Sequence, residues 1–335
     1  MLSLKEKRQR LATGAVILVS LTGILYFGIR AVREGSRAGG SNPFEYDVKK
    51  FKESGTALVG YDETHGIHIE SPRITALAVG PDDRLYVAGA GGILVFDSRG
   101  TAEAPVAAGT PIRGLAVDKN GDLYIGLENH VEVRRNGDGK VSAWESPAEK
   151  AVLTSIALSS NRAYVADAGS RVVWEYEKSG RLLKAIGAKD ESRDIPGFIL
   201  PSTIFDVAVD PDGFLWAANT GRHLLQNFTP DGNIRTSWGE ASMKIEGFCG
   251  CCNPTHFAIL ADGSFVTSEK GLARVKVYDR LGDFVAVVAS PEAFDEGTVG
   301  LDLAVDSSQR IYVLDPKRKM VRIFEKRESG RGESR

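Results

Sequence analysis

The chain has 335 residues, of which 42% are hydrophobic, so it can bury a core for one large domain or two medium ones. Its 42 basic and 44 acidic residues give a formal net charge of −2, which argues against nucleic acid as the principal partner. The 37 Gly and 13 Pro residues favour many turns and short strands over long helices.

The N-terminal region contains one stretch that could cross a membrane. Residues 11–29, LATGAVILVSLTGILYFGI, carry no charge, and a helix of this length spans roughly the ~30 Å of a hydrocarbon core. Residues 1–10 are predicted to be a basic cytoplasmic tail, because their lysines and arginines outnumber those directly after the stretch. A cleaved signal peptide is the alternative, but the apolar stretch exceeds the usual length of its hydrophobic region.

The remaining boundaries follow from composition. Residues 30–43 are rich in Gly and Ser and are predicted to form a flexible linker, followed by a folded domain at 44–335. The sequence therefore predicts a single-pass membrane protein with a cytoplasmic N-terminus. The folded domain would lie in the periplasm or outside the cell.

The folded region repeats one pattern six times: an apolar strand with a central alanine, a polar tight turn and a second strand. The copies are TALAVGPDDRLYVA from Thr75, RGLAVDKNGDLYIG from Arg113, TSIALSSNRAYVAD from Thr154, FDVAVDPDGFLWAA from Phe205, THFAILADGSFVTS from Thr255 and LDLAVDSSQRIYVL from Leu301. The interval of about 40 to 50 residues is the size of a propeller blade. Further strands follow most pairs, so the sequence predicts an all-β, six-bladed β-propeller.

The two ends of the repeat region complement each other. The last copy stops after a third strand that begins at Met320, whereas an isolated strand candidate, Thr56–Asp62, precedes the first copy. We therefore expect the N-terminal strand to complete the C-terminal blade and so to close the ring, which removes exposed sheet edges.

The repeats resemble the NHL family of six-bladed propellers. Three phrases carry the resemblance, which covers nearly all of residues 73–326: VADAGSRVVWEYEKSGRLL, DVAVDPDGFLWAANTGRH and NPTHFAILADGSFVTSEKGLARVKVYDRLGDF. The family has protein-binding, RNA-binding and enzymatic members, so the resemblance implies a fold and leaves the function open. In such a blade order, the long connections 187–201, 239–253 and 290–300 share one face, where we expect binding.

All three cysteines lie in one phrase, FCGCCNPTHF, as Cys249, Cys251 and Cys252, followed by His256. Soft thiolates with an imidazole suit zinc, copper or an iron–sulfur centre. A disulfide between Cys249 and Cys252, and inert packing, are the alternatives. Glu269, Lys270 and Arg274 follow this segment and could line the same site.

A second constellation comes from equivalent positions in three repeats. His256 stands two residues before its central alanine, where Asp206 and Asp302 stand in the adjoining copies. Equivalent strand positions of neighbouring blades converge, so these side chains could hold a divalent cation at the channel mouth. Alternatively, the two aspartates satisfy backbone donors at blade junctions.

The usual enzyme motifs are absent from the sequence: there is no P-loop, no G-x-S-x-G and no H-E-x-x-H. We therefore expect a membrane-tethered propeller that binds a partner protein or an electron-transfer component. The alternative is a metal-dependent enzyme, because the segment with Cys252, Pro254 and Thr255 resembles a cysteine-bearing segment of the peptidyl-hydroxyglycine lyases. Those lyases hold zinc with several histidines, whereas His256 is the one candidate here at an inner position.

Overall fold

The computed structural model describes residues 58–109 and 111–327, which all belong to one compact unit, Lys49–Arg335. The predicted tail, transmembrane helix and linker, residues 1–43, lie outside these described residues. Within the described ranges, the helices are three 3-10 turns of 3 residues each: Glu191–Arg193, Thr220–Arg222 and Pro291–Ala293. None of them combines the length and the hydropathy that a bilayer crossing requires.

The strands in the described ranges form six antiparallel sheets, which confirms the predicted six-bladed propeller. Blades one to three contain β2 (Ile74–Val79), β3 (Leu85–Gly89), β4 (Gly92–Phe96); β5 (Gly114–Val117), β6 (Leu123–Gly126), β7 (Val131–Arg134), β8 (Val141–Ala143); and β9 (Leu153–Leu158), β10 (Arg162–Asp167), β11 (Val172–Glu177), β12 (Leu182–Ile186). Blades four and five contain β13 (Val207–Val209), β14 (Leu215–Asn219), β15 (Leu224–Phe228), β16 (Ile234–Trp238); and β17 (His256–Ile259), β18 (Phe265–Glu269), β19 (Arg274–Tyr278), β20 (Phe284–Ala289).

The sixth blade joins the two ends of the described chain. It contains β21 (Leu303–Val305), β22 (Ile311–Asp315), β23 (Met320–Lys326) and, at its outer edge, β1 (Tyr61–His68). Pairing of β1 with β23 confirms the predicted closure, but the closing strand begins at Tyr61 and extends beyond the predicted Thr56–Asp62. Its polar sequence, YDETHGIH, lacks the apolar alternation that marks a strand, because the outer edge of a blade faces solvent on both sides of the pleat.

Apolar side chains of adjacent blades pack against each other to form the core. Between blades four and five, for example, the buried aromatic rings of Trp216, Phe257 and Phe265 meet, and Phe248 from the connecting loop joins them. Each such side chain contributes on the order of 1.5–3 kcal/mol by its burial. The alternating apolar residues therefore build the scaffold and leave polar exceptions as candidates for function.

The inner strands β2, β5, β9, β13, β17 and β21 all begin at the same end of the channel, where the blade-to-blade connections arrive. We call this end the loop-rich face, and the end that carries the tight turns after the inner strands the turn face. Residues at the start of β13, β17 and β21 therefore surround the channel mouth on the loop-rich face.

Candidate functional site

Three side chains meet at the channel mouth on the loop-rich face. The Nδ1 atom of His256 lies 3.5 Å from Oδ1 of Asp302 and 3.8 Å from Oδ2 of Asp206. Within the described part of the chain, these residues form the one group of three potential metal ligands whose ligand atoms all lie within 4.8 Å of one another. The structure thus brings together three of the six candidate metal ligands that were named from the sequence.

Asp206 also joins blades three, four and five. Its Oδ2 atom accepts the backbone N–H of Phe257 at 2.8 Å, and its Oδ1 atom accepts the N–H of Val207 at 3.0 Å and the hydroxyl of Ser155 at 2.5 Å. Asp206 is buried, so these hydrogen bonds offset the cost of removing its charge from water.

Asp302 makes the equivalent contacts between blades six and one. Its Oδ2 atom accepts the N–H of Leu77 at 2.9 Å, and its Oδ1 atom accepts the N–H of Leu303 at 2.9 Å. Burial raises the pKa of Asp302 to about 6; the nearby His256 opposes this rise and the carboxylate of Asp206 adds to it. The sequence left open that the two aspartates serve to accept backbone N–H groups at blade junctions. Both aspartates do make these contacts.

The same two carboxylates still have room for a cation. The oxygens that face His256, Oδ2 of Asp206 and Oδ1 of Asp302, each accept one backbone N–H, and a carboxylate oxygen has two acceptor positions. Two ligand atoms that each lie 2.0–2.1 Å from a tetrahedral zinc ion are about 3.4 Å apart. The distances from Nδ1 of His256 to the two carboxylate oxygens, 3.5 and 3.8 Å, are close to this value. Two carboxylates and an imidazole are thus spaced as the ligands of one divalent cation would be.

A cavity of about 240 Å³ lies directly against this group. It is lined by the inner strands of the blades, with Asp206, His256 and Asp302 beside the polar groups of Arg113 and Ser155. His256 and Asp302 keep 18% and 17% of their side-chain surface exposed, so a ligand in the cavity could reach them. The arrangement combines a charged cluster with an accessible, polar-walled space.

The cluster of Asp206, His256 and Asp302 contains no cysteine, and the three thiols of the cysteine loop are free. Buried Cys249 faces the carboxylate of Glu269, which accepts its backbone N–H at 3.2 Å, and its sulfur lies 3.8 Å from both Glu269 and Arg274. Burial and the adjacent Glu269 raise the pKa of the Cys249 thiol, while Arg274 opposes this rise. Cys249 therefore lies in a buried, charged pocket formed by Glu269 and Arg274.

Cys251 and Cys252 form a separate pair, with 3.3 Å between their sulfur atoms. Cys251 is exposed, whereas Cys252 is buried. The structure thus divides the predicted set of Cys249, Cys251, Cys252 and His256 into three environments. The sulfur–sulfur contact in the structure is between Cys251 and Cys252. The disulfide considered from the sequence was between Cys249 and Cys252.

A buried ionic cluster lies behind the cysteine loop: Glu269 and Arg274, which the sequence placed near the cysteines, contact Cys249, and Lys276, which the sequence analysis did not single out, joins them. Arg274 donates to Glu269 at 2.6 and 3.0 Å, and the ammonium of Lys276 lies 2.9 Å from the same carboxylate. Lys276 also donates to the backbone oxygens of Ile245 and Gly247, at 2.9 and 2.7 Å. Burial lowers the pKa of Lys276 to about 8, although Glu269 opposes the change. The lysine in the otherwise apolar-alternating strand RVKVY was the available signal.

Solved structures with a similar fold include two of virginiamycin B lyase. A catalytically inactive histidine-to-alanine variant of virginiamycin B lyase from Staphylococcus aureus with quinupristin matches with a TM-score of 0.53 and 14% identity, over 76% of this chain and 81% of that chain. Selenomethionine-substituted virginiamycin B lyase from the same organism matches with a TM-score of 0.53 and 11% identity, over 79% and 99%.

A structure of streptogramin B lyase is also similar, with a TM-score of 0.50 and 13% identity over 76% of this chain and 79% of that chain. No protein-family model matches the sequence. At these identities the comparisons establish the architecture: the chain is a six-bladed β-propeller that matches virginiamycin B lyase-like propellers.

Proposed function

We propose that this chain is a membrane-anchored binding propeller of the NHL type, displayed outside the cytoplasm, that takes its ligand at the mouth of the central channel. A divalent cation held by Asp206, His256 and Asp302 would be the centre of the site. The observation that carries the proposal is the convergence of these three side chains beside an accessible cavity.

The donor set fits this cation. Imidazole suits zinc and other transition metals, and carboxylates suit harder divalent ions. A cation with three protein ligands keeps a position open for an external ligand. The cation's own charge would also oppose the desolvation cost of keeping two carboxylates ionised in a partly buried position.

The size of the cavity favours a macromolecular ligand. Its volume of about 240 Å³ lies below the ~300–1,000 Å³ that is usual for small-molecule sites. A carboxylate or carbonyl group at the end of a partner's side chain would fit this space. The neighbouring connections on the loop-rich face would then contact the rest of a partner protein.

The membrane location is supported by the sequence. The uncharged stretch at residues 11–29, the basic residues before it and the linker at 30–43 are together typical of a signal anchor. The partner is accordingly sought among membrane and periplasmic or extracellular proteins.

The metal site is tested by titrating the full-length chain in detergent, first stripped with EDTA, with zinc and with manganese in a calorimeter. We expect about one bound ion for the wild type and loss of this site in His256→Ala. His130→Ala is the matched control, because His130 lies in a loop of the same face at 31% side-chain exposure and should bind as the wild type does. A wild type that binds neither ion would overturn the proposed cation site.

A lyase reaction at the same cavity is the second candidate. The solved structures that share this fold include virginiamycin B lyase, for which a histidine-to-alanine variant is catalytically inactive. His256 is the histidine that lines the cavity here. Turnover of quinupristin or of a hydroxyglycine peptide by the wild type, lost in His256→Ala and kept in His130→Ala, would favour this candidate over a binding role.

A further inference from the structure

A second cavity, of about 710 Å³, opens on the turn face of the propeller. It is lined by the turns that follow the inner strands of blades two, three and four, at residues 117–119, 158–162 and 209–213. It shares no polar side chain with the cavity beside Asp206, His256 and Asp302. Its volume falls within the ~300–1,000 Å³ that is usual for small-molecule sites. The turn face therefore offers a separate binding space.

A short turn in blade three creates this space. The N–H of Ser159 donates to the backbone oxygen of Arg162 at 3.0 Å, so the turn encloses two residues. In blade two the equivalent bond runs from Asp118 to Asp122, also at 3.0 Å, and encloses three residues. Blade four has the longer turn as well. The shorter turn leaves a recess between two longer neighbours.

A buried tyrosine brings an unpartnered hydroxyl to this recess. Tyr164 is 8% exposed and is the aromatic side chain among the described residues that line the cavity. Its hydroxyl has no hydrogen-bond partner in the described part of the chain, although buried polar groups usually have one. Burial raises the pKa of Tyr164, and the carboxylate of Glu175 adds to the rise. The hydroxyl therefore stays protonated and can both donate to a ligand and accept from it.

Most charged side chains in the wall of the cavity are paired with each other. Nε of Arg162 donates to Oε1 of Glu175 at 3.1 Å, and the ammonium of Lys184 lies 3.3 Å from Oε2 of the same carboxylate. Lys178 donates to Oδ2 of Asp118 at 3.1 Å. These pairs leave little net field that would draw an ion into the cavity.

The remaining charges do not favour an ion either. The two oxygens of Asp210 accept the N–H of Phe214 at 2.8 Å and the indole N–H of Trp216 at 2.9 Å. Lys119 and Asp212 are exposed and of opposite sign, so water and salt screen them. The electrostatics of the cavity therefore suit a neutral ligand.

Neutral polar groups and short apolar surfaces complete the wall. Ser160 and Asn161 form the exposed tip of the short turn, and their side chains make no hydrogen bonds within the described chain. The guanidinium of Arg162 is 33% exposed and keeps N–H donors beyond those that bind Glu175. The rings of Pro211 and Pro230 add apolar surface. Hydroxyl, amide and guanidinium groups around apolar patches are complementary to a ring that carries several hydroxyls.

We propose that the turn-face cavity binds a neutral, polyhydroxylated ligand, namely one or two sugar rings. Each sugar hydroxyl both donates and accepts a hydrogen bond, as the hydroxyl of Tyr164 does. The buried ring of Tyr164 offers no open face for stacking, so the affinity should be weak, with a Kd of about 1 mM for a single ring. The inference is independent of the proposed function, because it uses none of the candidate cation ligands.

The test is saturation-transfer NMR on the full-length chain, in a detergent whose head group contains no sugar. EDTA is present throughout, so that a cation at the channel mouth plays no part. The probes are glucose, N-acetylglucosamine and maltose, and we expect the wild type to transfer saturation to at least one of them. Tyr164→Phe should weaken this binding by about 10-fold, since it removes one hydrogen bond.

Tyr86→Phe is the matched control. Tyr86 pairs with its central alanine in blade one as Tyr164 does in blade three, but it does not line the cavity. The hydroxyl of Tyr164 has no protein partner, so Tyr164→Phe should melt as the wild type does, and weaker binding then reports the site itself. The proposal is overturned if none of the three sugars binds, if Tyr164→Phe binds as tightly as Tyr86→Phe, or if excess sodium sulfate displaces the sugar, which would indicate an anion site.

Discussion

The carboxylate of Asp206 in blade four accepts the backbone N–H of Phe257 in blade five, with 2.8 Å between Oδ2 and N. Asp302 accepts the N–H of Leu77 in the same way, at 2.9 Å, across the junction between blades six and one. The position two residues before the central alanine therefore joins neighbouring blades as well as facing the channel. A cation site built from these residues shares its ligands with the ring's own hydrogen bonds.

Replacing Asp206 by Asn should destabilise the protein even without metal. An amide has one accepting atom, so its NH2 group would face a backbone donor that the carboxylate now satisfies. We expect a loss of about 1–3 kcal/mol in the free energy of unfolding, measured in urea with EDTA present. Asp212→Asn is the control, since Asp212 is 62% exposed, and should change little. Equal stability of the two variants would contradict a joining role for Asp206.

The closing strand should depend on one ion pair. Glu63 in β1 accepts two hydrogen bonds from Arg322 in β23, one of them at 2.9 Å and the other from Nη2 at 2.5 Å. Arg322 is only 5% exposed but Glu63 is 35% exposed, so water screens part of the interaction. Glu63→Ala should therefore cost roughly 1–2 kcal/mol.

Amide hydrogen exchange locates the effect of this change. Exchange should accelerate in β1 and β23 while the strands of blade three remain protected. Glu70→Ala, just past the end of β1, is the control. Uniform acceleration across all blades, or none, would show that the ion pair does not hold the ring closed.

The scaffold could be predicted because its signal is repeated. The pattern that contains Ala208 recurs six times in the sequence, and a repeated unit places equivalent residues at equivalent positions. The same equivalence predicted that Asp206, His256 and Asp302 lie close together, as the structure shows. The role of Asp206 and Asp302 as connectors between blades follows from the same symmetry.

The cysteine loop could not be predicted in this way, because it is an insertion outside the repeat. Its conformation depends on long-range contacts: Lys276 of β19 binds the backbone of residues 245 and 247, and Glu269 of β18 binds the N–H of Cys249. Spacing alone grouped Cys249 with its neighbours, whereas the buried ionic cluster draws it away from them. The spacing of the cysteines limits which sulfur atoms can come into contact. The tertiary contacts of the loop determine which of them do.

Stability should rise with pH through the titration of Lys276. Burial lowers the pKa of its ammonium from 10.5 to about 8, so between these values the unfolded chain binds more protons than the folded chain. The free energy of unfolding should therefore increase from pH 8 to 10.5, by up to about 3 kcal/mol from this group. Raised pKa values of Cys249 and Tyr278 act in the opposite direction.

Comparison with a variant that lacks the ammonium isolates the contribution of Lys276 to the pH dependence of stability. The free energy of unfolding is measured by urea titration across this pH range for the wild type and for Lys276→Met, and the two curves are subtracted. The wild type should gain stability relative to the variant as pH rises. A difference that stays constant with pH would show that Lys276 keeps an ordinary pKa in the folded protein.

The carboxylate of Glu269 should control access to Cys249. It is fully buried and balances Arg274 and Lys276 while it accepts the N–H of Cys249. Glu269→Gln removes the charge and leaves two buried cations without an anion, which should cost about 3–5 kcal/mol. The loop that Glu269 holds should then open, and the Cys249 thiol should react faster with an alkylating reagent under native conditions, as read by mass spectrometry of the modified peptide.

The control for this change separates loop opening from general instability. Glu175→Gln removes another largely buried carboxylate, one that pairs with Arg162 and Lys184 in blade three. It should lower the melting temperature without raising the reactivity of Cys249 at temperatures well below the transition, because local opening and global unfolding are separate equilibria. If both variants expose Cys249 to the same extent at equal stability, Glu269 has no specific hold on the cysteine loop. Faster alkylation in Glu269→Gln alone would establish that the buried ionic cluster holds the loop closed over Cys249.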